Sequence, residues 1–156
     1  MYQVDVPGIG DLVFEHLILD MNGTVSTDGL LIPGVKWRIS KLREKLNIYL
    51  VTADTFGSAR DAASRMDVEL KVVSQLNGTQ DKEDFVGMLG REKTIAIGNG
   101  FNDVGMMRTA GLSIVVIGQE GCSVDALKCA RIAVRDIRDA LDLLLEPQRL
   151  RATLRT

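Results

Sequence analysis

Short apolar runs recur along the chain at 16–20, 47–52, 68–73, 94–98, 113–118 and 130–134. Runs of this length with little alternation suit strands buried on both faces, as in a parallel sheet. Between them lie stretches with helical spacing, over 34–45, 58–66, 82–89, 103–110, 124–130 and 137–145; in the first, Val35, Ile39, Leu42 and Leu46 fall on one face. Strand alternating with helix predicts a doubly wound α/β domain. Upstream, a Pro-Gly-containing turn separates two short strand-like pieces, so residues 2–15 are expected to form a small hairpin at a sheet edge. Pro147 is expected to end the last helix, leaving a short basic tail. The resulting reading is one domain over 1–156, with an edge hairpin at 1–15, a core at 16–146 and a tail at 147–156.

Composition narrows the partners. With 156 residues, 46% apolar and 26% charged, the chain is an ordinary globular sequence with enough length for its own core. Nineteen basic residues against 21 acidic ones, and an aromatic content of 4%, argue against nucleic acid as a ligand. Cys122, Cys129 and the single histidine, His16, cannot assemble a zinc site, and the two cysteines read as reduced thiols. No apolar run approaches the ~20 residues of a membrane span, and the N-terminus lacks a signal-peptide pattern, so a cytoplasmic protein without membrane contact is expected.

In parallel α/β sheets ligands sit beyond the carboxyl ends of the strands. The first core strand closes in Asp20-Met21-Asn22-Gly23-Thr24, a carboxylate followed by turn amides and a hydroxyl. Carboxylates can attack phosphorus, and a turn of this kind can hold phosphoryl oxygens. Taken alone, Asp-x-Asn-Gly is equally well a simple turn. The next strand ends in Thr52-Ala53-Asp54, offering another hydroxyl, and Lys82 near a helix start offers a mobile cation. Later, Gly98-Asn99-Gly100-Phe101-Asn102-Asp103 combines two glycines with three oxygen-bearing side chains, a set suited to magnesium.

This ordered set, Asp-x-x-Gly-Thr, strand-end Thr, Lys and Gly-x-Gly-x-Asn-Asp, resembles the haloacid dehalogenase-like hydrolases. Within them it is most similar to the phosphorylation domain of P-type ATPases and its soluble stand-alone relatives, most densely over 82–118 and more loosely over 14–145. The resemblance implies a Rossmann-like core and phosphohydrolase chemistry dependent on Mg2+. By position, Asp20 would accept the phosphoryl group; Gly23, Thr24, Thr52, Ala53 and Lys82 would bind it. Asp20, the Asn22 backbone carbonyl, Asn99 and Asp103 would hold the metal, with Asn102 in support.

Two residues depart from the pattern. Most phosphatases of this kind carry a second aspartate two positions after the nucleophile as general acid and base; here it is Asn22, which cannot transfer that proton, so slow turnover or a long-lived aspartyl-phosphate is expected. Asn99 stands where the metal loop has its first aspartate, so metal affinity should be weaker. The segments between Asp20, Thr52 and Lys82 are too short for a cap or an inserted nucleotide-binding domain. Such a capless site is open to water, to a phosphorylated small molecule or to a phosphoprotein, unless neighbouring copies in a homo-oligomer cover it. The two asparagines also fit a second reading: a non-hydrolytic phosphate-binding or phosphoacceptor module, for example a partner of a P-type ATPase, with the basic tail and a mobile-looking loop at 22–32 as docking places.

Overall fold

A computed structural model describes residues 1–54 and 57–156. The strands are β1 (Tyr2–Val6), β2 (Gly10–Phe14), β3 (His16–Asp20), β4 (Ser26–Thr27), β5 (Leu30–Leu31), β6 (Asn47–Thr52), β7 (Glu69–Val72), β8 (Thr94–Gly98), β9 (Leu112–Val116) and β10 (Ile132–Val134). The helices are α1 (Val35–Leu42), α2 (Ser58–Met66), α3 (Gly78–Leu89), α4 (Val104–Thr109), α5 (Val124–Cys129), α6 (Ile137–Leu145) and α7 (Pro147–Leu154). Each apolar run forms the expected strand, with shifts of one or two residues at several ends.

Six strands pair in parallel in the order β10-β9-β8-β3-β6-β7. The chain leaves β3 toward β6 and β7, then returns through α3 to β8 on the opposite side, so the connections diverge between β3 and β8. That divergence opens a crevice at the carboxyl ends of those two strands. Strand side chains alternate between two apolar layers. Leu17, Leu19, Ile95, Ile97, Ile114 and Val116 face a core shared with α1, α2 and α6, whereas Ile18, Ala96 and Val115 face α3, α4 and α5.

Three expectations are corrected. The N-terminal hairpin does not extend the sheet: β1 and β2 form a separate two-stranded ribbon. Its Tyr2, Val4, Val6 and Phe14 are instead buried in the larger core, so apolar packing holds it rather than edge hydrogen bonds. Pro147 starts a helix as well as ending one, because its fixed φ and missing N–H are both tolerated in a first helical turn. The basic tail is thus α7, anchored by fully buried Leu150, and the Thr156 amide donates to the Pro7 carbonyl at 3.2 Å. Finally, the segment 22–32 is ordered. The Met21 carbonyl accepts from the amides of Thr24, Val25 and Ser26, and β4 and β5 pair across Asp28-Gly29. Among the described residues no helix is long and apolar enough to cross a membrane. Cys122 and Cys129 are free thiols.

Candidate active site

The carboxyl ends of β3 and β8 bring Asp20 and the 98–103 loop together, and α3 delivers Lys82 to both. The buried stripe of α3 comprises Gly78, Lys82, Phe85 and Val86, so helical spacing places the lysine among apolar neighbours. Its ammonium lies 2.8 Å from Asp20 Oδ1 and 2.6 Å from Asp103 Oδ1. Lys82 and Asp103 are fully buried and Asp20 nearly so. Lys82 is therefore a fixed cation, correcting the expected mobile one.

Asp103 is engaged at both oxygens. Its Oδ2 accepts from the amides of Asn99 at 3.0 Å and Gly100 at 2.9 Å, closing the loop on itself. Gly98 permits this approach, since a Cβ there would lie 2.5 Å from Asp103 Oδ2. The Thr24 hydroxyl lies 3.2 Å from Asp20 Oδ2 and 3.3 Å from Asn99 Oδ1, so a single proton faces two acceptors. Gly23 fits beneath this pair at positive φ, where an added Cβ would meet Asn99 Nδ2 at 2.3 Å. The Asn99 side-chain amide also donates to the Gly121 carbonyl at 3.2 Å.

Electrostatics follow from this burial. Desolvation, reinforced by the Asp103 charge, pushes the Asp20 carboxyl up to about 6 against the pull of Lys82. Burial works against the Lys82 charge, but Asp20 and Asp103 more than offset it and hold the ammonium above its ordinary range. Two buried carboxylates sharing one buried ammonium leave the trio short of one positive charge.

The other expected residues divide. Thr52 is buried at the end of β6, and its hydroxyl accepts from the Asp54 amide at 3.1 Å, leaving its proton free to donate; half-buried Ala53 follows it. Asn22 is exposed at the mouth of the crevice. The Gly23 and Thr24 amides, expected to cradle a phosphoryl group, are bonded to the Ser26 and Met21 carbonyls at 2.9 and 3.1 Å. The tight turn consumes them, so it offers the Thr24 hydroxyl instead. Asn102 is exposed and makes no hydrogen bond to Asp20, Lys82 or Asp103. For a divalent cation, no group of three or more His, Cys, Asp or Glu converges among the described residues. The hard oxygens of Asp20 Oδ2 and Asn99 Oδ1, both within reach of one hydroxyl, still suit an ion that keeps several waters.

Beside this crevice a cavity of about 380 Å³ opens from Gly23 and Thr24 and runs under the β4–β5 hairpin toward the ends of β9 and β10. Reading the sequence pattern does not single out its walls, because residues from 23 to 138 meet there only in the fold.

A doubly wound parallel sheet with a strand-end carboxylate, a buried lysine and a glycine-bounded Asn/Asp loop at the switch point defines a Rossmann-like core with a charged crevice at its strand ends. No family model matches the chain. A soluble P-type ATPase-like phosphatase of Methanocaldococcus jannaschii is 25% identical over 145 residues, covering 91% of this chain and 53% of that protein. The chain thus spans about half the length of that relative. An uncharacterized protein of the same organism is 52% identical over 64 residues, covering 41% of this chain and 69% of that protein. The cobalt-bound deoxy-D-mannose-octulosonate 8-phosphate phosphatase of Haemophilus influenzae shares the fold, with a TM-score of 0.73 at 15% identity over 92% of this chain and 94% of that one. The chain therefore has the fold of haloacid dehalogenase-family hydrolases and is similar in sequence to a soluble P-type ATPase-like phosphatase.

Proposed function

We propose that the protein is a slow, Mg2+-dependent phosphohydrolase that works through a phospho-aspartate on Asp20. The observation carrying this reading is the contact of a strand-end carboxylate with a fully buried lysine at the sheet's switch point. An Asp20 oxygen attacks phosphorus of a phosphomonoester, and the ester P–O bond breaks with its electron pair on the departing oxygen, which takes a proton from water. A water oxygen then attacks the same phosphorus, the P–O bond to Asp20 breaks, and inorganic phosphate leaves as the carboxylate is restored. Lys82 uses two of its three N–H bonds on carboxylates, so the third, with the Thr52 hydroxyl, is available to the transferring group, and the Thr24 proton would join them on leaving Asp20 or Asn99. Asp20, Asn99 and the Asn22 carbonyl would hold a magnesium ion, which would supply charge neutralisation for the phosphoryl oxygens. Asp103, expected among its ligands, serves here to fix Lys82 and the loop. Asn22 provides no proton transfer, which keeps both steps slow.

Incubation with magnesium and a panel of phosphomonoesters, in parallel with Asp20→Asn, tests the reading; equal background rates in the two proteins would overturn it. Asn22→Asp should raise turnover by about 100-fold or more by restoring a proton donor and acceptor at the mouth. A second reading, a phosphoacceptor module without turnover, is favoured by Asn22 and Asn99 together. It predicts an Asp20-dependent adduct with acetyl phosphate, seen by intact mass, and no phosphate release.

A further inference from the structure

The cavity of about 380 Å³ beside the Asp20 crevice has a lining of mixed chemistry. It shares the Gly23–Thr24 turn with the phosphoryl-transfer crevice, and Leu31, Ile32, Pro33 and Val116 give it an apolar wall. The β4–β5 hairpin roofs it, and the Asp28 amide at the hairpin tip donates to the Glu120 carboxylate at 3.2 Å, tying roof to the loop after β9. Two arginines line it. Arg138 is committed, its guanidinium donating to both Asp136 oxygens at 2.8 and 2.6 Å. Arg135 has no ion pair or side-chain hydrogen bond among the described residues and is exposed. The charges on the lining, Arg135, Arg138 and Asp136, therefore leave an excess of one positive charge.

A volume near 380 Å³ accommodates a small organic group, and an apolar wall with one unmatched guanidinium selects an aliphatic body that ends in an anion. We infer that this pocket receives the non-phosphoryl part of the substrate, and that Arg135 selects phosphomonoesters of small organic acids by pairing with their carboxylate. This rests on the phosphohydrolase reading for the reaction but not for the binding. The Gly23–Thr24 turn borders both the pocket and the crevice that holds Asp20, so the two lie side by side.

Calorimetric titration of the magnesium-loaded protein with phosphonocarboxylates of increasing chain length, each matched to the alkylphosphonate of equal length, tests the pocket without requiring turnover. At one length or more the carboxylated ligand should bind at least about tenfold tighter. Arg135→Gln should erase that difference, lowering the affinity of the carboxylated ligand at least about tenfold more than that of its matched alkylphosphonate. Equal affinities for the matched ligands at every length, or a preference that survives Arg135→Gln, would overturn the assignment. Turnover of the corresponding phosphate esters separates the two readings: Arg135-dependent binding with no hydrolysis sinks the reaction and keeps the pocket, whereas hydrolysis without the binding preference does the reverse.

Discussion

The crevice at the ends of β3 and β8 and the β1–β2 ribbon are both buried, yet they are stabilised in opposite ways. In the crevice, Asp20, Lys82, Asp103 and Thr24 are charged or polar groups held by one another at 2.6 to 3.2 Å. In the ribbon, Val4, Val6 and Phe14 are held by contact alone, and Tyr2 brings a hydroxyl that finds no hydrogen-bond partner among the described residues. Burial of apolar area is non-directional and favourable almost wherever it occurs, whereas a buried charge is tolerable only with its partner in place. The crevice is therefore the part of the molecule where the fold tolerates the cost of buried charge, and the ribbon is the part where sequence serves stability.

The sharpest way to break this contrast is to remove the one cation of the crevice. Lys82→Met keeps the length and apolar stem of the side chain but leaves Asp20 and Asp103 facing each other without compensation. Urea unfolding at pH 7.5 should show a loss of about 3–5 kcal/mol, and phosphoryl transfer should disappear. A variant as stable as the parent would mean that water or a cation already neutralises the carboxylates.

The opposite sign is expected for Asp20→Asn. The Asp20 carboxyl sits near 6 in the fold and near 3.8 in an unfolded chain, so the folded state holds its proton more tightly. Its contribution to stability is fully present below about pH 3.8 and is lost as pH rises through about 6. In metal-free buffer Asp20→Asn should accordingly be more stable than the parent by about 1–3 kcal/mol at pH 7.5, with the gain vanishing below pH 4, as read from urea midpoints across that range. A gain independent of pH would place its origin elsewhere.

The same contrast separates what the sequence reveals from what it hides. Strands such as β3, β6 and β8 are legible because a buried parallel strand must be apolar on both faces, and their polar ends then mark the crevice. Asp20, Thr52 and the 98–103 loop are found that way. Lys82 is legible as a position but not as a fixed buried cation, although its place in a stripe with Phe85 and Val86 carries that signal. The engaged amides of Gly23 and Thr24 are hidden, since only the three-dimensional turn shows that the Met21 and Ser26 carbonyls take them. Arg135 is hidden for a similar reason: its cavity is assembled from three separate stretches of chain. In the ribbon, alternation correctly shows a hairpin, but strand pattern alone does not say whether a hairpin joins a sheet or packs over it. Pro147 is ambiguous because the same ring geometry that ends one helix is suited to starting the next.

The smallest effect expected lies in the ribbon. Tyr2 is almost wholly buried with a hydroxyl that makes no hydrogen bond among the described residues, and desolvation pushes its ionisation up to about 12. Tyr2→Phe removes an oxygen whose hydration is lost on folding without replacement, while keeping the ring against Phe14, whose centroid lies 6.4 Å away. A buried unsatisfied polar group costs about 1–3 kcal/mol, and the void left by one oxygen cancels part of any recovery, so a gain of about 1 kcal/mol is expected at neutral pH. The pH dependence isolates the cause. Tyrosine ionises near 10 in the unfolded chain and near 12 in the fold, so the stability of the parent falls as pH rises from 10 toward 12. The advantage of Tyr2→Phe over the parent should therefore widen across that interval, measured by thermal unfolding of the two proteins at matched pH. A constant difference would show that the hydroxyl reaches water in solution, and the ribbon would then be less tightly closed over the core than its apolar contacts imply.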